Sequence, residues 1–583
     1  MFQQQIHKEI GGKISQPLFE VMVRLVFVSP DKASIKSRLK GLRSSLDTFS
    51  TPYQKLKIRQ PFLSVFGLKI VDRYMHLKLK KRLLSFSGNP ILSISELSSL
   101  YHLPYTTTTK TEDLVQNKSP KLPSPLSFKR ADNQFDITFA HNTYGETTTD
   151  IGLTLEERRR HIYMIGATGT GKTTLLLKMI YEDILNGKGL AILDPHGDLT
   201  DRLLGVIPKE RIDDVVYFNP YDMTYPIGLN VLEMPTNLLE SDIYREKDLV
   251  VSSLISIFHK LYPARYSGPR MEHVLRNTVL TALETENPTL FTVYKLLTNS
   301  SYRKSITGKL TDPLLKDFWK HEFAKMGSYQ QSDLISPITN KLGRFLTTMM
   351  TRNILIQEKS KLDFEDIMNN KKILICDLSK GKIGEDTSSF LGSLIIAKIQ
   401  LAALKRVHIS HEKRTDFFLY IDEFQNFATM TFAQILSEAR KYRLNTILAH
   451  QTISQIEDKD LLKVILANTG TVISFRTSNP SDESIILPLF APQVEKNGIS
   501  NLPSYNFYIK VNALSPQDAF TGTTDDFATR ENDSIRNAVI EYSRKTYGMK
   551  IEKEIHPPKL ISKKSKQEKP EETKHVEEKL VPI

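Results

Sequence analysis

Apolar residues along the chain fall into two kinds of run. Short blocks cut off by Gly, Pro, Asp or Asn read as strands buried on both faces: Ile162–Ile165, Gly189–Asp194, Val215–Phe218, Lys371–Asp377, Phe417–Asp422, Leu444–Ala449, Thr471–Phe475 and Asn506–Val511. Short strands are also expected near 135 to 152. Stretches whose apolar positions return every three or four residues read as helices. Four of these crowd together at Asp248–Tyr262, Met271–Thr285, Leu314–Lys325 and Ile338–Met350, where strand signals are few. The pattern predicts an α/β fold, a mostly parallel sheet of the nucleotide-binding kind interrupted by an all-helical insertion.

Outside that core the texture changes. Phe19–Val28 reads as a strand, about 32 to 48 as a basic amphipathic helix, and the residues to about 70 as a second extended run, together a small α+β domain. From 105 to about 127 the chain is rich in Pro, Ser and Thr and reads as a linker. A last helix is expected at about 532 to 545, and a Lys/Glu-rich tail from 557 has the composition of disorder. The expected boundaries are therefore 1–104 for the basic α+β domain and 105–130 for the linker. The sheet domain takes 131–239 and 369–530 around an insertion at 240–368, with a C-terminal helix at 531–556 and the tail at 557–583.

Composition alters this picture in one place. The net charge is +13, but residues 1–130 hold 22 Lys+Arg against 8 Asp+Glu, a balance of +14, which leaves −1 for the other 453. The basic character is densest at Lys32–Arg43, with Lys36, Arg38, Lys40 and Arg43 at near-helical spacing, and at Lys78–Arg82. Such a surface is a solvated helix face, a phosphate-tracking surface or a contact for anionic lipid. The one cysteine, Cys376, excludes an intramolecular disulfide and a cysteine-clustered zinc site, and its apolar run makes it a buried strand residue. With neither a signal-peptide pattern nor a run of about 18 apolar residues, the chain is expected to be soluble.

The candidate chemistry starts at Gly166-Ala167-Thr168-Gly169-Thr170-Gly171-Lys172-Thr173-Thr174, which fits G-x-x-x-x-G-K-[ST] between a strand and a helix. Little side-chain bulk lets backbone N–H groups wrap a phosphate, Lys172 reaches the β/γ-phosphates and Thr173 a Mg²⁺ ion. Phe417–Glu423 brings Asp422 to a buried strand's carboxyl end, suited to hold Mg²⁺ through water, with Glu423 beside it as the base that activates water. Gln451, just past another strand, is placed to touch the γ-phosphate or the attacking water. Arg440 and Arg476 compete as an arginine finger reaching a neighbouring subunit's phosphate. Asp194 is expected beside the P-loop in the sheet, assisting the metal or its water, and Asp198 as the N-cap of Leu199–Leu204; His196 reads as a loop residue.

Taken in order, Gly166–Thr174, Asp194–Leu199, Tyr420–Phe427 and Ser437–Gln451 resemble the HerA/FtsK superfamily, and most of all conjugative coupling proteins of the TraD/TraG type in type IV secretion. The resemblance covers roughly residues 150 to 525. It implies a RecA-like fold with a helical insertion and a ring, usually a hexamer, that uses ATP and Mg²⁺ to thread DNA. In that scheme Lys172 and Thr173 bind phosphate and metal, Asp422 the metal, Glu423 activates water, Gln451 senses the γ-phosphate and Arg440 acts in trans. It also implies secretion components as partners. Family members generally carry N-terminal transmembrane helices, which this chain is expected to lack. That places it in the cytoplasm or peripherally at the inner membrane face, with the basic region as an electrostatic anchor or a DNA grip. The rivals are a HerA-like motor working with a nuclease on double-stranded ends, a secretion ATPase moving protein or assembling a pilus, and a nucleotide-gated scaffold.

The uneven charge predicts that residues 1–130 bind anionic liposomes in a flotation assay or DNA in a mobility-shift assay, in either case less as salt rises. Binding in neither assay identifies the charge as solvated surface.

Overall fold

The computed structural model describes residues 10–23, 32–47, 77–83, 89–101, 119–129, 135–234, 240–261, 268–456, 458–512, 517–527 and 529–551. The chain divides into two compact units, Met1–Gln116 and Asn117–Ile583. In the first, β1 (Leu18–Glu20) pairs antiparallel with β2 (Ile91–Ser93), and Lys32–Asp47 forms a helix. Of the expected strand Phe19–Val28, Phe19 and Glu20 lie in β1, Val21–Val23 are not in a strand, and the rest, like the extended run to about 70, lies outside the described residues. Ser93 caps the helix Ile94–Leu100 in a reciprocal box with Glu96, which also pairs with Lys13 at 3.0 Å. On the basic helix, Lys36, Arg38 and Lys40 are exposed.

The second unit is built on one sheet of eleven strands: β3 (Ile137–Tyr144), β4 (Thr147–Leu153), β5 (Ile162–Ile165), β6 (Gly189–Asp194), β7 (Val215–Phe218), β8 (Ile373–Asp377), β9 (Phe417–Ile421), β10 (Leu444–His450), β11 (Thr471–Ser474), β12 (Asn506–Val511) and β13 (Phe520–Thr524). Their spatial order is β4-β3-β13-β12-β11-β5-β10-β9-β6-β8-β7. From β11 to β7 all pairs are parallel, and from β11 outward to β4 they are antiparallel. Alternate residues of β5 feed different layers. Ile162 and Met164 join the core under the helix Lys172–Leu185, while Tyr163 and Ile165 join the layer shared with the helical insertion. This is the α/β architecture the apolar blocks predict.

The insertion leaves after β7 and returns at β8, its neighbour in the sheet, and its described residues are helical from Glu240–Leu261 to Phe364–Asn369. The helix read at Leu314–Lys325 is a composite of an α-turn at Pro313–Asp317, a π-helical Phe318–Glu322 and a short tight turn at Phe323–Lys325. Phe345 stacks on Phe390 at 4.1 Å, tying the insertion to the helix Glu385–Lys405. That helix went unread in the sequence because it is apolar on nearly all sides, so no stripe marks it. With its extension to His408 it is the one described helix long and apolar enough to cross a membrane, with a mean hydropathy of 1.4, yet 78% of that stretch is buried inside the domain. It is not an unbroken apolar run, and its burial explains its composition.

The end of the expected linker changes. The segment expected to end a linker is part of this unit: Ser119 donates to the Gly498 carbonyl at 2.6 Å, Asn142 donates to the carbonyls of Leu122 and Thr521, and Phe128 is buried. Its prolines leave an extended backbone that uses neighbouring side chains as hydrogen-bond partners. The C-terminal helix runs Asp533–Tyr547 and packs on β7, where Ser543 accepts the Tyr217 N–H at 2.9 Å. The expected tail lies outside the described residues.

Arg158 is fully buried over the Phe418 ring, pairing with Asp183 at 2.6 Å and Asp136 at 2.6 Å. It joins the helix behind the P-loop to β9, since Tyr420 donates to the same Asp183 carboxylate at 2.6 Å. Removing one member of a buried pair strands the other charge. Arg158→Ala is expected to lower stability by about 3–5 kcal/mol, read from denaturant unfolding.

Candidate functional site

The loop after β5 lies where three parallel strands end. Gly166 N–H donates to the His450 carbonyl at the end of β10 (3.2 Å), and Ala167 N–H to the Arg476 carbonyl past β11 (2.9 Å). Thr170 closes the loop on the Ala167 carbonyl at 2.7 Å, and Tyr505 N–H donates to the Thr170 carbonyl at 2.6 Å. A Cβ at Gly166 would stand 2.6 Å from Phe475, and Gly171 starts the helix Lys172–Leu185 at φ 108°, with Tyr505 3.0 Å from where its Cβ would be. At Gly166 and Gly171 the loop therefore has room for backbone only. It aims the start of a 14-residue helix at whatever the loop surrounds, an arrangement suited to a phosphate.

Lys172, buried, turns to β9. Its ammonium is 2.7 Å from Glu423 Oε1 and 3.6 Å from Asp422 Oδ1. Glu423 holds a left-handed backbone, φ 46°, a conformation that costs a non-glycine residue free energy and often marks a functional constraint. Gln425 donates to Glu423 Oε2 at 2.7 Å and to Gln455 Oε1 at 2.7 Å. Burial alone would raise the Glu423 carboxyl, but Lys172 and Gln425 outweigh it and hold it below the usual carboxylate range. Asp422 is the reverse case: burial raises it, and Lys172 offsets only part. A buried carboxylate short of positive charge, with the helix that starts at Lys172 close by, is a ligand that suits a hard divalent cation. Gln451 donates to the Thr168 hydroxyl of the loop. The structure thus brings Gly166–Thr174, Asp422, Glu423 and Gln451 to one edge of the sheet.

It does not bring the others there in the expected way. Strands β10 and β9 lie between β5 and β6, so Asp194 is not beside the P-loop strand. Its fully buried carboxylate accepts the N–H groups of His196 at 2.9 Å and of Leu199 and Thr200 at 3.0 Å each. Asp194 thereby does the capping that was expected of Asp198, while Gly197, at φ 92°, occupies the N-cap position. His196 is an exposed loop residue. Arg440 precedes β10, at the strand end opposite the loop, and its half-exposed side chain reaches Glu156 at 3.4 Å. Seven strand residues put it about 20 Å from its own P-loop. Arg476 lies against that loop in the same chain. Gln425, Gln455, Thr452 and Asp482 were missed, because their partners lie far off in sequence or carry no local pattern.

Below the loop, Tyr163 Oη and His450 Nε2 share a hydrogen bond, and Phe424 packs on both rings, 6.2 Å from Tyr163 and 4.9 Å from His450. Burial, reinforced by Lys172, pushes the His450 imidazole down from 6.5 to about 3.

A family model described as the central domain of the helicase HerA matches residues 142–399, and one described as the TraM recognition site of TraD and TraG matches residues 416–485. Among curated proteins, the type 4 coupling protein DotL of Legionella pneumophila is 22% identical over 412 residues, covering 59% of this chain and 51% of DotL. The chain therefore spans about half the length of that relative. Among solved structures, the trigonal form of the conjugative coupling protein TrwBΔN70 with sulphate has a TM-score of 0.51 and 18% identity, covering 71% of this chain and 94% of that one. TrwB in complex with ADP and Mg²⁺ has a TM-score of 0.49 and 18% identity, covering 70% and 95%. The first of these shares the fold described above.

His450 stays neutral in the folded protein while the unfolded chain protonates it below about 6.5. Its contribution to stability is complete above that pH and is lost as pH falls toward about 3. The melting temperature is expected to drop between pH 7 and pH 5, and His450→Gln to make that drop smaller, in thermal unfolding at both pH values.

Proposed function

We propose that the chain, which is similar to the central domain of HerA and to type 4 coupling proteins, hydrolyses Mg²⁺-bound ATP to drive DNA through a ring of its own copies. The observation that carries this reading is the convergence of the Gly166–Thr174 loop, the Lys172–Glu423 pair and Gln451 at one edge of the sheet. Loop N–H groups and Lys172 hold the phosphates of the nucleotide. Thr173 and Asp422 would hold Mg²⁺, which when bound would supply positive charge against the phosphate oxygens. Glu423, kept ionised, accepts a proton from the water that attacks the γ-phosphorus in line; the new P–O bond forms as the bond to ADP breaks. Gln451, fastened to Thr168, senses whether that phosphate is present.

The ring rests on the resemblance to coupling proteins; Arg440, half-exposed, paired with Glu156 and distant from its own loop, is the residue that would reach the phosphate of a neighbouring copy. DNA as cargo and secretion components as partners rest on the same family resemblance and on the +14 balance of residues 1–130, which suits a phosphate backbone. The same charge favours peripheral contact with an anionic membrane.

Glu423→Gln is expected to keep nucleotide binding and lose turnover by about 10²–10⁴-fold, measured as steady-state phosphate release beside fluorescent-nucleotide binding. DNA is expected to raise the wild-type rate. A rate indifferent to both single- and double-stranded DNA, yet raised by secretion components, removes DNA from the reading.

A further inference from the structure

The segment Gln451–Gln455 is fastened on both sides of the reaction centre. Gln451 donates to Thr168 of the P-loop, and Gln455 accepts from Gln425, whose amide also donates to Glu423 at 2.7 Å. What fixes the segment itself lies behind it. Thr452 Oγ1 is 2.6 Å from Asp482 Oδ2 and 3.0 Å from Ser454 Oγ. A carboxylate only accepts, so the single Thr452 hydroxyl hydrogen points at Asp482, and Ser454 must donate to Thr452.

We infer that Asp482 is a positioning residue for ATP hydrolysis, acting through Thr452 to hold residues 451–455 where Gln451 meets the P-loop and Gln455 braces Gln425 against Glu423; this rests on the hydrolytic reading above. An acid at the third position of the helix Pro480–Phe490 is commonplace, because the start of a helix favours negative charge. That role would be met by an exposed side chain. Asp482 is instead 1% exposed, with one oxygen on Thr452 and the other, Oδ1, buried without a hydrogen-bond partner. A carboxylate so poorly satisfied costs stability, and a place where that cost is accepted is a place where position matters more. The helix is also well placed as a reference point. It begins four residues after Arg476, whose carbonyl accepts Ala167 N–H of the P-loop at 2.9 Å. The anchor and the phosphate cradle are thereby tied to the same end of β11.

A displaced anchor would leave the cradle intact but shift the groups that act on the γ-phosphate. In the full-length chain, Asp482→Ala and Thr452→Val are each expected to lower kcat about 10- to 100-fold while leaving the Kd for a fluorescent ATP analogue within about twofold of wild type. Thr452→Ser, which keeps the hydroxyl, is expected to retain wild-type kcat, and the double variant to be no slower than the slower single one, as for two members of one contact. Thr452→Val preserves shape, so it serves if Asp482→Ala fails to fold. Wild-type turnover with kcat unchanged in Thr452→Val, or equal losses in kcat and nucleotide affinity, overturns the positioning role and leaves the hydrolytic reading standing. No turnover by the wild-type chain, with or without DNA, overturns both.

Discussion

A parallel strand buried on both faces can offer chemistry only where it ends. Its sides are spent on neighbours and its faces on apolar layers, so groups that must meet a charged ligand collect at the carboxyl edge. Here β5, β9, β10 and β11 end together, and each contributes something different: a backbone cradle, a pair of carboxylates, an amide, and the carbonyl that holds the cradle in place. The rest of the unit serves that edge. Helices on both faces exclude water from the strands, the antiparallel flank from β12 to β4 extends the sheet beyond β11, and Tyr505, just before β12, closes over the loop.

Asp422 and Glu423 shift in opposite directions although they are adjacent acids facing the same lysine. Lys172 lies 0.9 Å closer to Glu423 than to Asp422, at 2.7 against 3.6 Å. Asp422 is raised chiefly by its deeper burial and by the nearby Glu423 and Asp194 carboxylates, while Lys172 and the amide of Gln425 outweigh burial and hold Glu423 low. Adjacent residues of the same chemical type acquire distinct tasks from their surroundings, not from their identity.

Much of this was legible in the chain itself. Abrupt ends to apolar blocks marked all seven parallel strands, and the fixed spacing of Gly166, Gly171 and Lys172 marked the cradle, because those features are set by local backbone geometry. What stayed hidden depends on distant residues. Nothing near Asp194 tells that β9 and β10 separate its strand from β5, so its capping role was hidden. The helix Glu385–Lys405 has no amphipathic stripe because it is covered on nearly every side. β13, Phe-Thr-Gly-Thr-Thr, has too few apolar residues to announce itself, and Asp482 gains its meaning only from a threonine thirty residues earlier.

The sheet order also has a consequence in time. Ile162 of β5 pairs with Ile447 and with Thr471, so the partners of the P-loop strand follow it by some 285 and 309 residues. During synthesis at roughly 5–20 residues per second, that strand waits on the order of 15–60 s before either neighbour exists. Throughout that interval the all-helical insertion, whose contacts are mostly local, can form first. The nucleotide site is therefore among the last parts of the molecule to be assembled, and a ribosome that stops anywhere short of β10 releases a chain with a phosphate loop but no wall to hold it.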